Sequence, residues 1–254
     1  MQNTKHPGIA LALLLGAFLI SSCGQQYYRA RPNDPPLLTG KGEGKIAGMF
    51  NLSTSSMPRF SAAWSPVKHL GLQAGHGASG STGHTSDDTQ SYPFSERRSF
   101  GYAGIGYYTA LPKQLHFEIY GGAGAARYQS RAMGYVQRLH LTNGYLQPAI
   151  AYRIRNFELA ASLRYDYLHR GRTEVDTSFT RSDNLHRFLD VRDYHMLQPG
   201  LTMRAGGQVK FCFEFYESFM LNRKYESVYG SIGQHGVAQY SVGIQWTIRP
   251  GLFK

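Results

Sequence analysis

The chain has 254 residues, with 27 Lys and Arg against 16 Asp and Glu, a net charge of +11. The basic residues are scattered with no dense Lys/Arg block, which argues against a nucleic-acid partner and suits attraction to anionic headgroups. Glycine and tyrosine are abundant and cysteine is rare, so neither a disordered tail nor a disulfide-framed scaffold fits.

The first residues have the three-part form of a secretory signal. Lys5 supplies the positive start, and Ile9 to Ile20 form an apolar run shorter than the ~20 residues that span a bilayer as a helix. The stretch "LISSCG" that follows resembles the bacterial lipobox. The resemblance implies cleavage after residue 22, with thioether diacylglycerol and an N-acyl (palmitate-type) lipid on Cys23; the alternative is an ordinary signal with a chance cysteine nearby. Gly24 suits transfer to the outer membrane. Without Lys5 the mature chain carries 26 basic and 16 acidic residues, a net +10. If Cys23 is acylated, Cys212 has no disulfide partner. No other cofactor is expected.

Residues 23–42 carry Pro and Gly without a hydrophobic period and read as a lipidated periplasmic tether. From residue 43 to 254 the period is two. Ile46, Gly48 and Phe50 alternate with Lys45, Ala47 and Met49. Leu115, Phe117 and Ile119 alternate with His116, Glu118 and Tyr120. Similar alternation runs through 157–169, 207–221 and 237–249. The predicted strands are 43–52, 57–65, 68–80, 97–110, 114–126, 144–155, 157–169, 193–206, 207–221 and 237–249. The second is the weakest, and eight strands is the alternative count. Several of these strands exceed the length usual in soluble sheets and suit the ~9–11 residues of a tilted membrane strand.

The connections alternate in length. Residues 111–114, 155–156 and 206–208 make tight turns. Long polar loops are expected at 81–96, 127–143, 170–192 and 222–236. Short turns on one side and long loops on the other predict a transmembrane antiparallel up-and-down β-barrel. The last strand resembles the terminal signal read by barrel-insertion machinery, with Ser241, Gly243, Trp246 and Ile248 at its fixed positions. The tail 249–254 departs from that pattern.

The stretches "RPNDPPLLTGKGEGKIAG" and "FSAAWSPVKHLGLQAG" resemble the amino-terminal part of uncharacterised outer-membrane β-barrel lipoproteins of Bacteroidetes. The resemblance covers the lipobox, the tether and the first three strands. It implies an envelope location and no particular reaction.

On this parity the lumen holds Lys45, His116, Glu118, Tyr120, Arg153, Glu158, Arg164, Asp166, Arg204, Lys210, Glu214 and Gln245. Both signs are present, which predicts a mutually paired charge network in a narrow barrel. An arginine-lined anion pore is the alternative. His116 beside Glu118, with Ser162 and Asp166 nearby, raises a lipid-modifying enzyme as a third reading, although no nucleophile elbow or zinc helix accompanies them. His76, His84, Asp87 and Asp88 are arranged too loosely to predict a metal site. Loops 127–143 and 170–192 are the candidate contacts outside the cell. Catalytic and metal residues are therefore predicted to be absent. The expected role is structural or interactive. The expected partners are outer-membrane lipids, the barrel-assembly and lipoprotein-export machinery, and an unidentified outer-membrane protein.

Overall fold

The computed structural model describes residues 33–52, 57–86, 91–132, 135–175, 191–222 and 237–249. Cys23, Asp87, Asp88, the signal 1–22, residues 23–32, most of the loops expected at 170–192 and 222–236, and the tail 250–254 lie outside these.

Ten strands follow one another without a helix among the described residues: β1 (Gly44–Asn51), β2 (Pro58–Val67), β3 (Leu70–Ser86), β4 (Ser91–Ala110), β5 (Leu115–Ala132), β6 (Tyr135–Ile154), β7 (Phe157–Val175), β8 (Asp193–Gly206), β9 (Val209–Met220) and β10 (Val237–Ile248). Each pairs with its sequence neighbour, and β10 returns to β1, closing an antiparallel up-and-down barrel. The closing register runs from Gly44 opposite Ile248 to Asn51 opposite Ser241. Closure leaves no unpaired edge.

Tight connections at 68–69, 111–114, 155–156 and 207–208 all lie at one end, together with the start of β1 and the end of β10. His69, Lys113, Gln114 and Arg155 reverse the chain there with φ between 46° and 70°. This is the turn end; the opposite, loop end carries the connections at 52–57, 87–90, 133–134, 176–192 and 221–236.

Two of the loops expected from polarity are mostly strand. Residues 81–86 and 91–96 extend the β3–β4 hairpin, and 127–132 and 135–143 extend β5–β6. Polar composition misled here because the ladder continues beyond the apolar band, where side chains face water on the outside while the backbone remains paired.

The side-chain pattern changes with height. On β7, Phe157, Leu163, Tyr165 and Tyr167 point outward and are 38–43% exposed, while Glu158, Ser162, Arg164 and Asp166 point inward and are buried. Two positions farther toward the loop end the arrangement reverses, with Leu168 buried and His169 exposed. β5 behaves alike: His116, Glu118 and Tyr120 face inward below, and above them Tyr128 is buried inside while Arg127 is exposed outside. At the loop end, Tyr128, Leu139, Leu141, Leu168, Tyr194, Met196 and Tyr216 form an apolar cluster inside the barrel. Where the outside turns polar, the inside turns apolar.

Candidate functional site: a lumen filled by the amino-terminal segment

Of the described part of the expected tether, residues 33–38 lie inside the barrel and residues 39–42 run along its turn-end rim, where Thr39 and Lys41 are exposed. This corrects the reading of that stretch as a periplasmic linker. Leu37 and Leu38 are fully buried and Asn33 nearly so. The composition looked like a linker, but Asp34, Leu37 and Leu38 meet specific partners on the barrel wall, and those contacts outweigh the weak local preferences of the segment.

Asn33 sits deepest. Its Nδ2 donates to the Gln198 carbonyl at 2.5 Å, and its own carbonyl accepts from Ser162 Oγ at 3.5 Å. Ser162 pairs across the wall with Gly200, and a side chain at Gly200 would press against Asn33 at 3.0 Å. From there the chain descends toward the turn end. Asp34 pairs with Arg204 and accepts from Ser61 Oγ at 3.1 Å. Arg204 also donates to the Pro35 carbonyl at 2.6 Å. Leu37 N–H donates to Glu118 Oε2 at 2.8 Å, and Lys45 Nζ donates to the Leu37 carbonyl at 2.7 Å. These two bonds clamp Leu37 in the left-handed region, φ 54°, a costly conformation for a bulky residue that needs such outside support. Gly42, φ 79°, then bonds the Ser65 carbonyl at 2.7 Å at the rim, and the chain turns into β1.

The charged side chains expected in the lumen lie along the same layer. Glu158 draws three cations: Arg153, whose Nε donates at 2.9 Å, Lys210 at 2.5 Å, and Arg204 at 3.5 Å. Glu214 pairs with Arg59, which also donates to Ser241 Oγ at 3.4 Å. Arg164 lies 3.1 Å from Asp166 and 4.2 Å above the Tyr145 ring, and Asn143 donates to Asp166 at 2.5 Å. Tyr120 is fully buried in the same layer, and Gln245 is 2% exposed.

Charge balance explains why the segment fits. Among the described residues of this layer, six cations (Lys45, Arg59, Arg153, Arg164, Arg204, Lys210) meet six carboxylates (Asp34, Glu43, Glu118, Glu158, Asp166, Glu214). Four of those carboxylates come from strands. Asp34 and Glu43 come from the segment leading into β1. Buried ions persist only when paired, so the wall by itself is short of negative charge and the segment supplies it. The void bounded by Asp34, Pro36, Lys45, Gln73, Tyr102 and Gln245 is about 10 Å³, roughly the room one water needs.

His116 Nε2 stands 3.9 Å from Glu118 and is stacked against Tyr108. Ser162 and Asp166 lie on β7, with β6 between them and the His116 strand. The Ser162 hydroxyl is directed to the carbonyls of Asn33 and Gly200. His76 and His84 stand exposed on β3, eight positions apart, and no cluster of metal-ligating side chains occurs among the described residues.

In β10, Ser241 is buried inside, while Trp246 is 39% exposed on the outside, the face that Ile248 shares. Gly243 lies opposite Met49 in the closing pair. A Cβ there would come within 2.1 Å of the Gly48 carbonyl and 2.6 Å of Met49 Sδ. The seam between first and last strands therefore needs the missing side chain.

Three lumen features escaped sequence reasoning. Arg59 has the right parity on β2, and strand parity alone was enough to find it. The apolar cluster lay partly in stretches read as loops. The segment 33–42 showed only one hint, two leucines beside an aspartate in a supposed linker.

No family model and no curated protein matches the chain. Among solved structures it is similar to the amino-terminal β-barrel domain of OprF from Pseudomonas aeruginosa, at 10% identity over 82% of this chain and 99% of that one, with a TM-score of 0.34. It is also similar to the outer membrane protease OmpT from Escherichia coli, at 11% identity over 82% and 94%, TM-score 0.46. A third is the translocator domain of the autotransporter NalP from Neisseria meningitidis, at 13% identity over 82% and 88%, TM-score 0.42.

Proposed function

We propose that this chain is an outer-membrane β-barrel lipoprotein whose own amino-terminal segment occupies its lumen, and that its role in the cell envelope is structural or interactive. The observation that carries this reading is the reversal of side-chain pattern along the barrel axis. Over the turn-end half, Ile46, Phe50, Phe60, Ile105, Phe211 and Ile244 are 46–67% exposed outside while ions are buried inside. That arrangement is unfavourable in water and favourable in a bilayer. Nearer the loop end the ordinary pattern of a soluble protein returns. The short turns then face the periplasm.

The lipobox supports acylation at Cys23, and the resemblance to Bacteroidetes barrel lipoproteins points the same way. Cys23 lies ten residues before Asn33, so acyl chains there would hold the upstream end of the lumen segment. The filled lumen argues against the pore reading. Catalysis at His116 and Glu118 would require the segment to leave, because Leu37 already occupies Glu118.

The test is heat-modifiable migration of the detergent-purified full chain, followed by planar-bilayer recording. A shift on boiling with no conductance is expected. Ohmic, anion-selective steps would favour the pore. Lipid hydrolysis in detergent that disappears in His116→Ala would favour the enzyme.

A further inference from the structure

Just above the apolar band, the outward faces of β4, β5 and β6 share a basic patch. Arg127 stands opposite Ser99 on β4 and His140 on β6. Gln129, two positions on, stands opposite Arg97 and Arg138. Arg131 follows on the same face. Arg97, Arg127, Arg131 and His140 are exposed, and the Arg138 side chain is 44% exposed. Their strand neighbours Phe100, Tyr128 and Leu139 are buried, which fixes the patch on the outside. Among the described residues the acid facing it is Glu174 on β7, which pairs with Arg138 at 2.7 Å and with Arg172 at 3.1 Å. Arg98 and Glu96, on the inner face, pair with each other.

The height of the patch points to its occupant. From Phe117 to Ala125 the outward residues of β5 are apolar or glycine, a span that matches the ~9–11 residues of a membrane crossing. Arg127 is the next outward position, which the outer-membrane reading puts level with lipid headgroups. Directly below it the wall is low: Ala123 lies between Ala103 and Gly144, and Ala125 between Gly101 and Thr142. Farther down, Ile105 and Leu146 rise again, 55% and 49% exposed. A shallow depression thus lies under a fan of guanidinium groups. Guanidinium forks bind phosphate oxygens in pairs, and a depression of small residues gives room to acyl chains.

We infer that this face is a binding site for a phosphorylated glycolipid of the outer leaflet, with phosphates on Arg97, Arg127 and Arg131 and acyl chains over Ala103, Ala123 and Ala125. The inference rests on the outer-membrane reading above. Arg138, half engaged by Glu174, borders the site.

The probe is diphosphoryl lipid A, added to the full-length protein in detergent or in phosphatidylcholine nanodiscs. Lipid retained after washing is measured by mass spectrometry for the wild type and for R97A/R127A/R131A. The wild type is expected to retain it, with retention lower by about tenfold or more in the triple variant. Retention should also fall as salt is raised, and equimolar inorganic phosphate should not displace the lipid. Equal retention in both proteins, indifference to salt in the wild type, or displacement by free phosphate overturns the inference. So does a patch buried in a dimer, seen as loss of retention with rising protein concentration. Heat-modifiable migration is read on the same samples. A wild type that does not shift sinks the membrane-barrel reading itself, whereas a shifting protein without lipid preference sinks only the lipid site.

Discussion

Asp34 and Arg204 stand 170 positions apart in the chain and form an ion pair inside the barrel, the first from the amino-terminal segment and the second from β8. The same guanidinium holds the Pro35 carbonyl and lies 3.5 Å from Glu158. One arginine thus ties the segment to the wall network.

Without the Asp34 carboxylate, the buried Arg204 guanidinium keeps only Glu158, which it shares with Arg153 and Lys210, and the Pro35 carbonyl. Asp34→Asn is expected to lower stability by about 1.5–3 kcal/mol, measured as a lower urea midpoint or a lower temperature for the gel shift. Adding Arg204→Met should recover part of the loss, because the two changes are coupled through one contact. Additive losses in the double variant would show that the pair does not hold the segment.

Cys212 offers a direct report on the filled lumen. It faces inward on β9, is 2% exposed and is unbonded as a disulfide. In the folded wild type its thiol is expected to resist maleimide, since reagent reaches a buried group only through opening of the structure. Deleting residues 33–39 should speed the reaction by about tenfold or more, with the heat-modifiable band retained. Equal rates would place the segment elsewhere.

Gly243 tests the seam. Gly243→Ala puts a Cβ against the Gly48 carbonyl and Met49 Sδ and is expected to cost about 1–3 kcal/mol. The reduced yield of folded barrel should show on unboiled gels. Ile244→Ala, one residue on but facing outward, should fold at the wild-type yield. If it fails as badly, any small change in β10 limits folding, and the close approach at Gly243 is not the cause.

Cys23→Ala separates anchoring from insertion. A spanning barrel is held more strongly than acyl chains hold a tether, so the variant should remain in the membrane fraction after carbonate washing. A protein that becomes soluble would overturn the barrel reading.

Strand number and face were legible because period-two alternation is local. Lys45 against Ile46 and Glu158 against Phe157 declare two sides of a wall wherever the strand sits. Strand length was less legible. Arg127, Arg138 and His140 lie on strand, but above the apolar band the outward residues are polar and the inward ones, such as Tyr128, Leu139 and Leu141, are apolar, the reverse of the membrane pattern. The alternation that marks a membrane strand therefore stops before the hydrogen bonding does.

By itself the sequence determined a chain of alternating strands with tight turns on one side, and therefore a wall with an apolar face and a charged face. Only the tertiary structure decided what meets the charged face. The partners of Arg204 and Glu118 sit at Asp34 and Leu37, in a stretch whose composition is that of a linker. Its local bonds, from Thr39 to the Glu43 carboxylate and from the Glu43 N–H to the Gly40 carbonyl, reach only its rim end. It is held by paired charges and backbone hydrogen bonds across a closed lumen, and those contacts exist only once β10 has met β1.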